Sequence, residues 1–113
     1  MTTPPPIACT LGKADYADRL RWIAALNRDA LRSHRWEHLT LELHYDPTAA
    51  EGVRERVREL VRREQQCCAF LAFEVRETAD AVVVRITAPP QTRAAIDAVF
   101  EPFVRLVRPA SRR

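Results

Sequence analysis

Hydrophobic and polar residues recur along the chain with two different periods, and the change between them predicts the order of helices and strands. Apolar residues at three- and four-residue steps predict a first helix over residues 13–33. Single-residue alternation then predicts a half-buried strand over residues 39–45. A second helix is predicted over residues 47–67, because Asp46 is a favoured N-cap and proline is favoured at the first helical position.

The second half of the chain returns to strand-like alternation before one more helix. Residues 71–76 and 82–86 alternate around a short polar turn, which predicts an antiparallel hairpin. A last helix is predicted over residues 91–107, with a kink at Pro102 because proline interrupts the helical hydrogen bonds. The predicted order is therefore α-β-α-β-β-α, in a three-stranded mixed sheet with the helices packed mainly on one face.

These elements predict a single small α+β domain over residues 9–108. A flexible proline-rich lead-in is expected over residues 1–8 and a C-terminal tail over residues 109–113. A three-stranded sheet has two exposed edges and a free second face. A homodimer that extends or covers the sheet is therefore expected.

Composition and charge exclude several classes of function. Of the 113 residues, 47% are hydrophobic and 29% are charged, as in ordinary globular proteins. The net charge is +3, but acids and bases interleave without a clustered basic stripe, so nucleic-acid binding is not expected. No apolar run approaches the roughly 18 residues of a membrane span, and no signal-peptide pattern is present. These features predict a cytoplasmic protein that does not bind membranes.

A carboxylate and two thiols lie where the second helix should be apolar. The buried stripe of that helix passes through Val57 and Leu60 and then reaches Glu64, Cys67 and Cys68. Burying even a neutral polar group without a partner costs roughly 2–7 kcal/mol in an apolar environment. Glu64 therefore needs a partner, which could be an arginine of another element, a backbone amide or a metal ion.

The thiols make a soft metal or metalloid ion the first candidate ligand. Thiolates bind mercury, copper(I), zinc and trivalent arsenic. The third cysteine, Cys9, would complete a three-sulfur site with Cys67 and Cys68 if the fold brings it to the pair. Glu64 or His44 would add the fourth ligand that zinc prefers. Such a site predicts sequestration, transfer or sensing of the ion rather than catalysis.

Two other functions remain open. A thiol-dependent enzyme could use one cysteine of the pair as nucleophile or redox centre, with Glu64 as base. However, the C-terminal end of a helix raises the pKa of a thiol, whereas reactive cysteines favour helix N-termini. Alternatively, the protein could be a dimeric scaffold in which Cys67 and Cys68 pack as small hydrophobic side chains.

The sequence Glu64-Gln65-Gln66-Cys67-Cys68-Ala69-Phe70-Leu71 resembles an E-x-x-C-C-P-F-L segment of small, mostly uncharacterised bacterial proteins. It is also similar to segments of proteins associated with heavy-metal resistance. The residues around Cys9 and the Ala88-Pro89-Pro90 sequence fit the same pattern, whereas Ala69 stands where proline is usual. The resemblance implies a metal or metalloid thiolate site at Cys9, Cys67 and Cys68.

Overall fold

The computed structural model describes residues 13–105, with side chains described from residue 15 onwards. The described elements comprise three α-helices, four strands and a 3-10 helix. In chain order they are α1 (Lys13–Ala30), β1 (Leu31–Glu37), β2 (Thr40–Tyr45), α2 (Val53–Cys67), β3 (Ala72–Glu77), β4 (Val82–Thr87), the 3-10 helix (Pro90–Ala95) and α3 (Ile96–Val104). The predictions for the lead-in, for Cys9 and for the tail lie outside the described residues.

The sheet has four strands in the order β1-β2-β4-β3, and every neighbouring pair is antiparallel. The predicted three-stranded mixed sheet is therefore wrong, and the element order is α-β-β-α-β-β-α. The α+β class and the hairpin of β3 with β4 are confirmed. The sheet consists of two antiparallel hairpins, β1–β2 and β3–β4, which are joined by pairing of β2 with β4. Strands β2 and β3 therefore lie on either side of β4 and run parallel to each other, and α2 connects them.

The strand that the sequence does not predict is β1, because the periodicity places its residues at the end of the first helix and in the loop after it. It lies at the sheet edge, where only Leu31 and Trp36 are half-buried and the other five residues are exposed. A register irregularity between Leu31 and Ser33 further disturbs its alternation. An edge strand with so few buried side chains leaves little period-two signal in the sequence.

Within the part of the chain that the structure describes, the helices cover one face of the sheet, and no helix or strand covers the other, open face. Alternate residues of β2 and β4 are fully buried against the helices: Leu41, Leu43, Tyr45, Val82, Val84 and Ile86. On the open face Arg85 forms hydrogen bonds with Glu42. Among residues 13–105, no helix is long and apolar enough to cross a membrane.

The second helix begins six residues later than predicted. The Asp46 carboxylate accepts hydrogen bonds from the backbone N–H and the hydroxyl of Thr48, at 2.8 and 2.7 Å. These bonds close a turn at the position predicted for the helix start, and residues 47–52 continue as turns and bends rather than as a helix. Gly52, with φ of 71°, then provides the left-handed residue from which α2 starts at Val53.

A buried asparagine joins α1 to β2 and to the end of α3. The side-chain nitrogen of Asn27 donates hydrogen bonds to the backbone oxygens of Phe103 and Arg105, at 2.8 and 2.9 Å. The Tyr45 hydroxyl donates a third bond to the Asn27 side-chain oxygen, at 3.2 Å. Because Asn27 and Tyr45 are both buried, these bonds hold α3 in place beside the candidate site described below.

Replacing Asn27 by leucine should lower the free energy of unfolding by about 3 kcal/mol. The substitution removes the side-chain partner that the Tyr45 hydroxyl and the Phe103 carbonyl have among the described residues, and each buried group left unpaired costs roughly 1–3 kcal/mol. Urea unfolding followed by tryptophan fluorescence measures this effect. Tyr45→Phe is the matched control, since it removes one bond and one hydroxyl together and should cost only about 1 kcal/mol. Equal losses for the two variants would contradict this assignment.

Candidate functional site

The apolar stripe predicted for α2 reaches the two cysteines at the end of the helix. Glu64 and Cys67 are buried on the same face as Val53, Val57 and Leu60, and Cys68 is buried immediately after the helix. Cys68 leaves the helical conformation, with φ of −121° and ψ of 71°, while its N–H still donates to the Glu64 carbonyl oxygen. This change of backbone conformation lets two consecutive side chains point inward. Their Sγ atoms lie 3.8 Å apart.

The partner of Glu64 is Arg19 of α1. The Arg19 Nε donates to both carboxylate oxygens, at 3.0 and 2.8 Å, and Nη2 donates to Oε1 at 2.6 Å. The side chains of Arg19 and Glu64 are only 9% and 2% exposed. The buried carboxylate therefore has the partner that its position on the stripe required, and that partner is an arginine of another helix.

Arg19 itself lies between aromatic rings. Its guanidinium carbon is 5.4 Å from the centre of the Tyr16 ring and 5.6 Å from that of Phe103. Burial alone would lower the pKa of Arg19, but the hydrogen bonds and charge of Glu64 outweigh burial, so its pKa is raised. Arg19 is thus charged at every physiological pH, and the pair places two opposite charges beside the thiols.

The Cys68 thiol lies against this ion pair. Its Sγ is 3.8 Å from Oε1 of Glu64 and 4.0 Å from Nη2 of Arg19. Burial, followed by the negative charge of Glu64, raises the pKa of Cys68 to about 11, although Arg19 acts in the opposite direction. Cys68 is therefore a protonated thiol at neutral pH, with its S–H directed at the Glu64 carboxylate.

The two cysteines differ in oxidation state and in what they face. Cys67 is disulfide-bonded, whereas Cys68 is a free thiol. Cys67 also lines a cleft of about 470 Å³, a volume typical of small-ligand sites. The cleft lies between α1 and α2, and the residues around it are Asp15, Asp18, Arg19, Trp22, Ile23, Leu60, Arg63, Glu64, Gln66 and Cys67. Within this lining the Arg63 guanidinium lies over the Trp22 ring, 4.6 Å from the ring centre.

The structure brings together three of the predicted site residues, namely Glu64, Cys67 and Cys68. Cys9, the predicted third sulfur ligand, lies outside the described residues. His44, the other suggested fourth ligand, lies on the open face of the sheet beside Glu42, away from the thiols. Within residues 13–105, no group of three or more histidine, cysteine, aspartate or glutamate side chains is arranged to hold a metal ion.

Arg19 is the site residue that the sequence analysis did not identify. It lies four residues before Ile23, on the stripe of α1 that continues through Leu26 and Ala30 into the core. A charged residue on a buried stripe of one helix and an opposite charge on that of another indicate a buried pair. That signal could have marked Arg19 as one candidate partner for Glu64, which already required one. The choice among the arginines depends on how the two helices pack.

Comparison of the chain with models of known protein families, with curated proteins and with solved structures finds no match.

Proposed function

We propose that the reduced protein binds a soft metal or metalloid ion through Cys67 and Cys68, with Cys9 as the third ligand. The observation that carries this proposal is the 3.8 Å separation of the two sulfur atoms. In a tetrahedral site with metal–sulfur bonds of about 2.3 Å, neighbouring sulfurs are about 3.8 Å apart. Linear coordination between two sulfurs would need about 4.6 Å, twice that bond length. The spacing thus favours three or four ligands over two.

The buried ion pair supplies the surroundings of the ion rather than a ligand. Arg19 engages both oxygens of Glu64, so this carboxylate acts as a nearby negative charge that helps to balance the bound cation. An ion must displace the Cys68 proton, and its affinity therefore rises with pH. Zinc, mercury, copper(I) and trivalent arsenic all suit a thiolate site.

The disulfide at Cys67 adds a redox requirement to this proposal. Because Cys67 is disulfide-bonded, it must be reduced before it can bind an ion. A reducing compartment such as the cytoplasm would maintain the reduced form, and we place the protein there. Sequestration, transfer or sensing of the ion would each be compatible with such a site.

Native mass spectrometry of the reduced protein tests the metal proposal. We expect one ion per chain after addition of mercury(II), zinc, copper(I) or arsenite, and loss of that mass shift in the Cys67→Ser, Cys68→Ser double variant. Cys9→Ser separately tests the third ligand. The unreduced protein, in which Cys67 is not available as a ligand, should bind zinc more weakly than the reduced protein. Absence of a shift with every ion, in a chain that circular dichroism shows to be folded, would rule out the metal site.

Thiol–disulfide exchange is a second candidate function. The free thiol of Cys68 lies 3.8 Å from the sulfur of the disulfide-bonded Cys67. In an exchange reaction a thiolate attacks such a disulfide sulfur. The attacking species must be a thiolate, however, and a pKa of about 11 leaves little thiolate at neutral pH. For this reason metal binding is the function that we propose first.

A further inference from the structure

A row of alternating charges crosses the open face of the sheet. Residues directly opposite each other in neighbouring strands are Arg35 of β1, Glu42 of β2, Arg85 of β4 and Glu74 of β3. Nε and Nη2 of Arg85 lie 3.2 and 2.9 Å from the same Glu42 oxygen. Opposite charges on directly facing residues stabilise strand pairing. The row ends with an acid at the edge formed by β3.

The two edges of the sheet are not equally protected. The register of β1 is broken between Leu31 and Ser33, and an irregularity of this kind discourages pairing with another chain. By contrast, β3 pairs with β4 without any shift over all six residues, from Ala72 to Glu77. The regular edge of β3 therefore presents an evenly spaced row of backbone groups that can accept another strand.

The three central residues of β3, Glu74, Val75 and Arg76, are complementary to the same residues in reverse order. Val75, near the middle of β3, is 37% exposed. Among the described residues, the other exposed large hydrophobic side chain is that of Tyr16. Glu74 and Arg76 flank it and both point to the open face of the sheet, as alternate residues of a strand do. Two such strands in antiparallel register would place an acid opposite a base on both sides of a central valine.

We propose that β3 pairs antiparallel with β3 of a second copy of this chain, about a two-fold axis at Val75. Each Val75 then faces its counterpart, and Glu74 of each copy lies opposite Arg76 of the other. The charge row thereby continues across the interface, because Glu74 is flanked by Arg85 of its own sheet and by a base of the second copy. The result is a continuous eight-stranded sheet in a closed, symmetric dimer.

The charge pattern selects a second copy of the chain as the occupant of this edge. The open face of the sheet is polar, and its Glu42 and Arg85 side chains already pair with each other. The edge of β3, rather than this face, is therefore the surface that a second copy would bind. Pairing of β3 with β1 of another copy would also continue the charge row, by placing Glu74 against Arg35. That arrangement does not close and must use the irregular strand β1, so it gives growing assemblies rather than a dimer.

Sedimentation equilibrium of the whole chain, with a reductant present, tests this interface. Between micromolar and millimolar concentration we expect reversible conversion from the 12.9 kDa monomer to a species of twice that mass. Arg76→Glu should raise the dissociation constant roughly tenfold or more, because it replaces two attractive cross-strand pairs by two repulsive ones. Within its own sheet Arg76 faces Val83, so the substitution opposes no charge inside the chain.

Arg93→Glu is the matched control, since it makes the same change of net charge on the exposed surface of the 3-10 helix. It should leave the dissociation constant unchanged. A mixture of Arg76→Glu and Glu74→Arg chains should recover dimers, because one strand then carries two acids and the other two bases. A monomer at every concentration, equal effects of Arg76→Glu and Arg93→Glu, or growth into larger assemblies would each overturn the proposal.

Discussion

Arg19→Ala should lower the free energy of unfolding by about 4 kcal/mol, the largest loss of stability that we expect from one substitution. It would leave the Glu64 carboxylate buried and unpaired, and removal of one partner of a buried ion pair typically costs about 3–5 kcal/mol. Contacts of the guanidinium with Tyr16 and Phe103 would be lost as well. Urea unfolding at neutral pH measures the effect.

Two control chains separate the buried charge from a general effect of removing an arginine. Arg21 lies on the same helix and pairs with Asp18, but their side chains are 72% and 68% exposed, so Arg21→Ala should cost less than about 1 kcal/mol. Replacing both Arg19 and Glu64 by methionine should recover most of the lost stability, because no unpaired charge remains. Equal losses for Arg19→Ala and Arg21→Ala, or a double variant no better than Arg19→Ala, would contradict this reasoning.

Hydrophobic periodicity predicted the elements correctly where one side of a helix or strand is buried along its whole length. The stripe of α2 predicted correctly that Glu64, Cys67 and Cys68 share a buried face, since a helical period of 3.6 residues fixes which side chains are neighbours. The alternation in β2 and β4 was equally clear, because both strands lie in the middle of the sheet and bury every second residue.

The sequence was insufficient where burial is incomplete or where contacts join distant residues. In β1 the pairing partners of Leu43 and Leu41 are an exposed histidine, His34, and a half-buried tryptophan, Trp36, so hydrophobic periodicity gave no strand. The need of Glu64 for a partner followed from its position, but the choice of Arg19 depends on how α1 packs against α2. Periodicity within one helix contains no information about that packing.

Modification of Cys68 by iodoacetamide should be slower in the folded protein than in the unfolded chain by at least about tenfold at pH 8. A rise in thiol pKa from 9.0 to about 11 lowers the thiolate fraction at pH 8 roughly 100-fold. The greater nucleophilicity of the more basic thiolate offsets roughly eightfold of this decrease. A chain with Cys9→Ser and Cys67→Ser, in which Cys68 is the only thiol, allows the comparison in buffer and in urea.

The pH dependence distinguishes a raised pKa from simple lack of access. In the folded protein the rate should reach half its maximum near pH 11, whereas in urea the midpoint should lie near pH 9. Because the unfolded chain releases its Cys68 proton first, this group also destabilises the fold as the pH rises from about 9 to 11, so folding is monitored by circular dichroism. A folded-state midpoint near pH 9 would refute the raised pKa and would favour the exchange reaction over metal binding.

Glu64 and Arg19 have opposite effects on the pKa of Cys68, so a substitution of Glu64 tests the role of the ion pair. Glu64 raises the pKa of Cys68 through its charge and its hydrogen bond, and Arg19 lowers it. Glu64→Gln, introduced into the single-thiol chain, should therefore shift the pH midpoint of modification downward and increase the rate at pH 8 several-fold. An unchanged midpoint in a folded variant would mean that burial alone keeps the thiol protonated. The ion pair would then stabilise the fold without controlling the proton that a metal ion would have to displace at the proposed site.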